Sequence, residues 1–296
     1  MNFDVFDSWQ KPMEKEHDHR NQSALNHKYD CLLFDLDDTL YPLSSGIAAQ
    51  CTKNIQEYMI QHLGIEESKV PEMCYVLYKY YGTTMAGLRA IGYNFDYDHY
   101  HSQVHGRLPY DLLKPDPVLR NLLLSLPVRR IILTNADKRH AARVLKKMGL
   151  EDCFERIICF ETLNPVNEDD PASSGDETNV NPEIFNIMEY QPRSGVPLPA
   201  TPVVCKPFES AYKRAFEIAE IDPKTTLFFD DSIRNLSTAH NLGLHTVLVG
   251  KSERSEGAEY ALESIHNIRE AFPELLETDE ARFEKVTCSQ KIAVEA

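Results

Sequence analysis

The run Cys31-Leu32-Leu33-Phe34-Asp35-Leu36-Asp37-Asp38-Thr39 sets four apolar residues directly before three acids and a hydroxyl. Apolar residues without polar alternation predict a strand over about 31–35 buried on both faces, as in a parallel sheet. Ligands of open α/β sheets bind outside the carboxyl ends of the strands, so this strand delivers its acids to a ligand-binding edge. The pattern returns twice. Ile131-Ile132-Leu133 leads into Thr134-Asn135, and Leu227-Phe228-Phe229 leads into Asp230-Asp231, with Lys206-Pro207 between them. Carboxylates crowded together drive some of their number to protonate unless a cation sits among them. The four segments therefore point to metal-assisted phosphoryl chemistry.

Outward from the first strand, the period changes. Ile47, Cys51, Ile55, Tyr58 and Met59 recur at helical spacing, as do Val76, Leu77, Tyr80 and Tyr81, with Gly64, Gly82, Gly92 and Gly106 as punctuation. This predicts a helical cap over 42–115, inserted after the first strand and placed to cover the site. Alternation then resumes. Leu119, Leu122, Leu123 and Leu126 mark a helix, followed by a strand at 129–133, a helix from Asp137 to Met148 stopped by Gly149, and a strand at 157–160. A helix starting at Pro207, a strand at 225–229, a helix at 232–242, a strand at 244–249 and a last helix over 259–271 complete the core. The fold class is α/β, with a Rossmann-like parallel sheet built from 29–41 and 116–275. Residues 164–203 hold seven of the 17 prolines and the acidic run Glu168-Asp169-Asp170, which predicts an irregular excursion with one helix at Pro182–Tyr190. Residues 1–28 read as a disordered tail and 276–296 as a frayed end.

Composition narrows the partners. A 296-residue chain with 42% hydrophobic and 26% charged residues is an ordinary globular protein. A formal charge of −15 excludes a nucleic-acid polymer as partner, since phosphate backbones require a concentrated basic face. No apolar run approaches the ~20 residues of a membrane span, so no membrane partner is expected either. The seven cysteines (31, 51, 74, 153, 159, 205, 288) show no paired framework and no C-x-x-C repeat, which predicts free thiols in a reducing compartment. The cytoplasm is the expected location, with the nucleus as the alternative. The expected partner is a small phosphorylated substrate.

The acids divide labour. Asp35 is placed to attack phosphorus and form an aspartyl-phosphate, while Asp37, two residues on, is the general acid and then the general base. Mg²⁺ is the expected cofactor, held by Asp35, Asp230 and Asp231 and by the main-chain carbonyl of Asp37. Thr134 and Asn135 offer a hydroxyl and amide donors to the phosphoryl oxygens, Thr39 adds a second hydroxyl at the same edge, and Lys206 supplies fixed positive charge. Thr83 and Thr84, in the stretch Gly82–Leu88, are the cap's candidate substrate-binding residues; a helix–helix junction needing small residues explains that stretch equally well. Other residues have plainer readings. His101 and His105 are one turn apart, but with no acid constellation nearby His99, His101 and His105 read as a solvated or core-edge set. Tyr75, Tyr78, Tyr80 and Tyr81 read as a core stripe, and Arg139 and Arg143 as helix-surface arginines near the phosphate mouth. Asn235 reads as support for the metal loop, and Ser174, before Asp176 and Glu177, as part of a solvated loop.

In order and context, the four segments resemble the motifs of the haloacid dehalogenase superfamily over roughly residues 30–275. The resemblance implies that Asp35 is the nucleophile, Asp37 the acid/base, Thr134 the phosphate-binding hydroxyl, Lys206 the charge-stabilising lysine, and Asp230 and Asp231 the metal-binding acids. Asp38 stands where many members carry glycine. Leu40–Gly46, Tyr81–Leu88 and Asp230-Asp231-Ser232 are similar to the pyrimidine 5′-nucleotidase branch, within it the group named after suppressor of disruption of TFIIS. That branch implies a phosphomonoesterase acting on a pyrimidine nucleoside 5′-monophosphate. Lysophosphatidate, a sugar phosphate and phosphomutase chemistry are the alternatives, and a non-catalytic scaffold is the second alternative.

Overall fold

The computed structural model describes residues 28–165, 184–191 and 197–276. The two predicted tails, apart from Lys28 and Leu276, and Ser174 lie outside the described residues, as does much of the proline-rich excursion. The first strand, β1 (Cys31–Phe34), is buried at every position. Four helices follow it: α1 (Ile47–Gln61), α2 (Val70–Tyr81), α3 (Thr84–Ala90) and α4 (Tyr97–Val104). Helix α5 (Pro117–Ser125) leads to β2 (Arg129–Leu133), α6 (Lys138–Met148), β3 (Arg156–Ile158) and the short α7 (Phe160–Leu163). The chain then runs through α8 (Glu209–Ala219), β4 (Thr226–Asp230), α9 (Ile233–Asn241), β5 (His245–Val249), β6 (Tyr260–Leu262) and α10 (Ile268–Ala271).

All six strands pair in parallel, in the order β3-β2-β1-β4-β5-β6. The chain winds outward from β1 to β3, returns to place β4 on the other side of β1, and winds outward again. Strand order thus reverses between β1 and β4, where a crevice opens at the carboxyl edge. Alternate side chains feed two layers. Leu32 and Phe34 pack with α5 and α6, and Phe34 stacks on Phe229 with ring centroids 4.8 Å apart. Cys31, Leu33 and Phe228 pack on the other face with Ala211, Tyr212 and Ala215 of α8 and Leu236 of α9. The helices between β1 and β2 bury their own cluster, including Tyr58, Leu77, Leu88 and Tyr100.

Three sequence expectations change. Residues 259–271 are not one helix. Tyr260, Ala261, Leu262, Ile265 and Ile268 have helical spacing, but 260–262 instead satisfy the open edge of β5, with Val247 opposite Tyr260 and Val249 opposite Leu262. The helix expected at 182–190 is, among its described residues, a single 3₁₀ turn at Ile187–Glu189. Around it the chain is tied to the helical cluster: Phe185 N–H donates to the Ile91 carbonyl (3.0 Å), Thr201 Oγ1 to the Ala86 carbonyl (2.8 Å) and Tyr81 Oη to the Pro199 carbonyl (3.0 Å). Helix α8 begins at Glu209, two residues after Pro207. The six described cysteines are free thiols, and Cys288 lies outside the described residues. No helix among the described residues is long and apolar enough to cross a membrane.

Candidate active site

Asp35 follows β1, and its N–H still donates to the Phe229 carbonyl (2.8 Å), so sheet pairing fixes its backbone. Its carboxylate is 7% exposed and carries two partners. Lys206 Nζ donates to Oδ1 at 2.7 Å and Thr39 Oγ1 to Oδ2 at 3.1 Å. Lys206 is itself fully buried and donates a second bond, 2.7 Å, to Asp230 Oδ2. Burial pushes the Asp35 carboxyl up to about 7; Lys206 opposes the shift, and Asp230 and Asp37 add to it.

Asp37 points away from that pair. Its Oδ1 accepts from Tyr41 Oη and, at 2.6 Å, from His140 Nε2, which leaves Oδ2 without a donor among the described residues and open to a substrate. His140 Nδ1 lies 2.9 Å from Tyr110 Oη, and that hydroxyl gives its single proton to the His105 carbonyl at 3.0 Å. The Tyr110 oxygen must then accept from Nδ1, so His140 donates from both nitrogens and is an imidazolium. Its shift agrees: burial pulls the His140 pKa down, but the charge and hydrogen bond of Asp37 carry it above the usual value. Asp37 is held below the usual carboxylate range, its burial outweighed by His140 and Tyr41. Replacing His140 by Gln removes the charge that positions Asp37, and is expected to lower kcat about 10- to 100-fold with KM little changed. Steady-state kinetics checks this; an unaltered kcat contradicts it.

The other predicted residues are placed as follows. Thr134 is buried, and its Oγ1 accepts from Ala136 N–H at 3.1 Å, which leaves the hydroxyl proton to point elsewhere. Asn135 spends both ends of its amide on the Lys206 backbone, donating to its carbonyl (2.9 Å) and accepting from its N–H (2.8 Å). It therefore positions the lysine. Thr39 is likewise turned to Asp35. Thr83 caps α3 through Ala86 N–H, and Thr84 donates to the Cys74 carbonyl (3.3 Å), so both line the cavity with hydroxyls already engaged. Gly82 (φ +81°) runs so close to the lysine that a Cβ there would lie 2.2 Å from the Lys206 carbonyl oxygen, and Gly87 packs on Leu77. These glycines serve packing, while Thr83 and Thr84 still line the cavity.

Asp35, Asp37, Thr134, Lys206 and Asp231 open into one cavity of about 270 Å³. Ile55, Tyr78, Met85 and Tyr100 from the capping helices form its opposite wall. Arg234 at the start of α9 ties the two sides together. It donates to the Tyr78 and Lys79 carbonyls, each at 2.9 Å, and lies 4.2 Å from the Tyr78 ring centroid. Tyr75 and Tyr78 are exposed and only Tyr81 of that stripe is buried, so the four tyrosines are not a uniform core face. Arg139 and Arg143 line a neighbouring cavity, and Arg143 stacks on Tyr110.

The donor set suits a hard cation. Carboxylate oxygens of Asp35, Asp230 and Asp231 lie within 4.8 Å of one another. Burial and the neighbouring acids Asp230, Asp35 and Asp38 push Asp231 up to about 8, a mark of carboxylates short of positive charge. The oxygens of Asp230 are already taken by Lys206, Ser232 N–H and Asn235 Nδ2, whereas Asp231 opens into the cavity. Asp35 and Asp231 are thus the freer ligands, and Asp230 holds the lysine. Asp37 Oδ1 is held by His140 and Tyr41, which turns its side chain from the Asp35–Asp230 pair and leaves its carbonyl as the Asp37 group for a metal. Asp38 has φ +58°, the left-handed region that favours glycine, which accounts for the residue type common at that position in the resembling family.

Sequence reasoning missed His140, Tyr41, Arg234 and Asp137. One signal was present for His140, which directly precedes Ala141 on the buried face of the helix following Thr134-Asn135. The carboxylate that faces His101 and His105 is Asp137, brought in from the core.

A family model described as haloacid dehalogenase-like hydrolase matches residues 29–243. Phosphate metabolism protein 8 of Saccharomyces cerevisiae is 28% identical over 144 residues, 46% of this chain and 45% of that protein. The matched region thus spans under half the length of that relative. Among solved structures, a HAD phosphatase from Thermococcus onnurineus is 15% identical with TM-score 0.48, covering 82% of this chain and 97% of that one. CbbY from Rhodobacter sphaeroides in complex with phosphate is 14% identical with TM-score 0.48, covering 81% and 96%.

Proposed function

The chain belongs to the haloacid dehalogenase-like hydrolases, and within that family we propose that it is a Mg²⁺-dependent phosphomonoesterase acting on a small soluble phosphate, foremost a pyrimidine nucleoside 5′-monophosphate. The observation that carries the phosphatase reading is the division of the two acids. Asp35 is held by a lysine and a hydroxyl with its carboxylate at the cavity, while Asp37 is backed by a protonated histidine. Asp35 attacks phosphorus in line; the bond from phosphorus to the leaving oxygen breaks, and that oxygen takes the proton held at the Asp37–His140 pair. Water then attacks the aspartyl-phosphate, Asp37 accepts its proton, and the phosphorus–Asp35 bond breaks to free phosphate. Lys206 and the Thr134 hydroxyl face the equatorial oxygens, where the transition state is most anionic. Asp35, Asp231 and the Asp37 carbonyl would hold Mg²⁺, which would supply neutralising charge for the reaction of a carboxylate with an anionic phosphate.

The substrate class rests on shape and resemblance. A cavity of about 270 Å³ suits a small molecule, with a polar end at Asp35 and the side chains of Ile55, Tyr78, Met85 and Tyr100 opposite, fit for a flat ring. The similarity to a yeast protein named for phosphate metabolism supports the phosphate class. Phosphate release should be measured from UMP, CMP, AMP, GMP, sugar phosphates and lysophosphatidate, with Mg²⁺ and with EDTA. The expected result is metal-dependent release, faster from UMP and CMP than from the purine nucleotides. Preference for another phosphate overturns the pyrimidine assignment, and no release from any of them overturns the phosphatase reading.

A further inference from the structure

Capping helices and sheet meet in a second polar cluster that the chemistry above does not use. His101 lies in α4 and His105 one turn further at its C-cap, with rings stacked at 5.4 Å between centroids. Asp137 faces them from the N-cap of α6, and its two oxygens have separate roles. Oδ1 accepts from the N–H groups of Arg139 and His140, while Oδ2 turns to the cap, 2.5 Å from His105 Nδ1 and 3.5 Å from His101 Nδ1. His101 is the anomaly. It is 7% exposed, and neither ring nitrogen has a hydrogen-bond partner among the described residues. Burying polar atoms unpaired is costly, and a ring with no nitrogens would pack there without that cost. The imidazole is kept neutral by its burial and by its histidine neighbours, with its pKa pushed down to about 3, so its lone pair is available. Ligand atoms of His101, His105 and Asp137 lie within 4.8 Å of one another. They border a cavity of about 500 Å³ that also carries Asp98 and Glu161, giving an entry path and room for water in further coordination positions.

We propose that His101 Nδ1, His105 Nδ1 and Asp137 Oδ2 form a binding site for a divalent transition metal of the zinc class, joining the capping helices to the sheet. Two imidazoles and one carboxylate suit Zn²⁺ or Co²⁺, whereas the all-oxygen set at Asp35 and Asp231 suits Mg²⁺. The metal replaces the proton shared by His105 and Asp137, which leaves to water, and no redox change is involved. His101 and His105 also line the Asp35 cavity, so the bound ion fixes a wall common to both cavities.

Full-length protein stripped with EDTA and desalted should be titrated with Co²⁺ while its visible spectrum is recorded, followed by competition with Zn²⁺. One equivalent of Co²⁺ should give absorption bands of a low-coordinate nitrogen-ligated ion, displaced by Zn²⁺ and unchanged in Asp231→Asn. His101→Gln and His105→Gln should each weaken binding by about tenfold or more. Two variants, each checked by far-UV circular dichroism, guard against the failure of one to fold. The wild-type melting temperature should also rise with one equivalent of Zn²⁺. Absence of the bands, wild-type affinity in both histidine variants, or loss of binding in Asp231→Asn overturns the site and leaves an ion-paired clamp between cap and sheet.

Discussion

Asp35→Asn should abolish turnover, with kcat lower by about 10⁴-fold or more, equivalent to about 5.5 kcal/mol of barrier. An amide oxygen is a poor nucleophile toward phosphorus, so the covalent intermediate does not form at a useful rate. The fold should survive. Asn keeps one acceptor oxygen for Lys206 Nζ, its amide nitrogen can donate to Thr39 Oγ1 in place of the bond that hydroxyl now donates, and Lys206 retains Asp230 at 2.7 Å. Loss of the central negative charge also relieves the crowding that lifts Asp35 and Asp231. The informative comparison is kcat beside the melting temperature of the same preparation. A folded variant that still turns over within tenfold of wild type contradicts the assignment of the nucleophile.

Lys206→Met should be harsher, because the lysine serves both reaction and fold. Among the described residues it is the one cation bonded to Asp35 and Asp230, at 2.7 Å to each, in a fully buried position. Removing one partner of a buried ion pair costs about 3–5 kcal/mol, since the remaining charge is left desolvated. Activity should be lost along with stability. The pH dependence has a definite sign. Burial already lifts the Asp35 carboxyl above its unfolded value of about 3.9, and without Lys206 nothing opposes that shift, so the native state binds more protons and stability falls as pH rises from about 4. Wild type keeps the lysine contribution throughout that range, because its raised pKa lies beyond it. The melting-temperature deficit of the variant should thus be wider at pH 8 than at pH 5. A deficit that does not change with pH contradicts this account of the triad.

Residues whose role follows from local chain direction were legible in the sequence. Asp35 and Asp230 sit where buried apolar strands stop, and uninterrupted runs such as Cys31–Phe34 and Leu227–Phe229 mark a parallel sheet before any coordinates are known. Partnerships between distant segments were not. His140 meets Asp37 across 103 residues, and Asp137 meets His105 across 32, so neither pairing leaves a periodic trace. The missing β6 has another cause: Tyr260, Ala261 and Leu262 are spaced for a helix, and only the open edge of β5 makes them a strand. Asn135, Thr83 and Thr84 teach a third lesson. Their types suit ligand binding, but their hydroxyl and amide groups are spent on Lys206, Ala86 and Cys74, which sequence cannot reveal.

The central claim is that phosphate passes through Asp35. Protein mixed with substrate in a single turnover, quenched in acid and reduced with borohydride, converts an acyl phosphate to an alcohol. Peptide mass spectrometry should then find homoserine at position 35 in a substrate-dependent fraction of the protein, with Asp37, Asp230 and Asp231 unmodified. Free phosphate formed in that turnover with aspartate intact at position 35, or with the reduced residue at any other position, would contradict the mechanism.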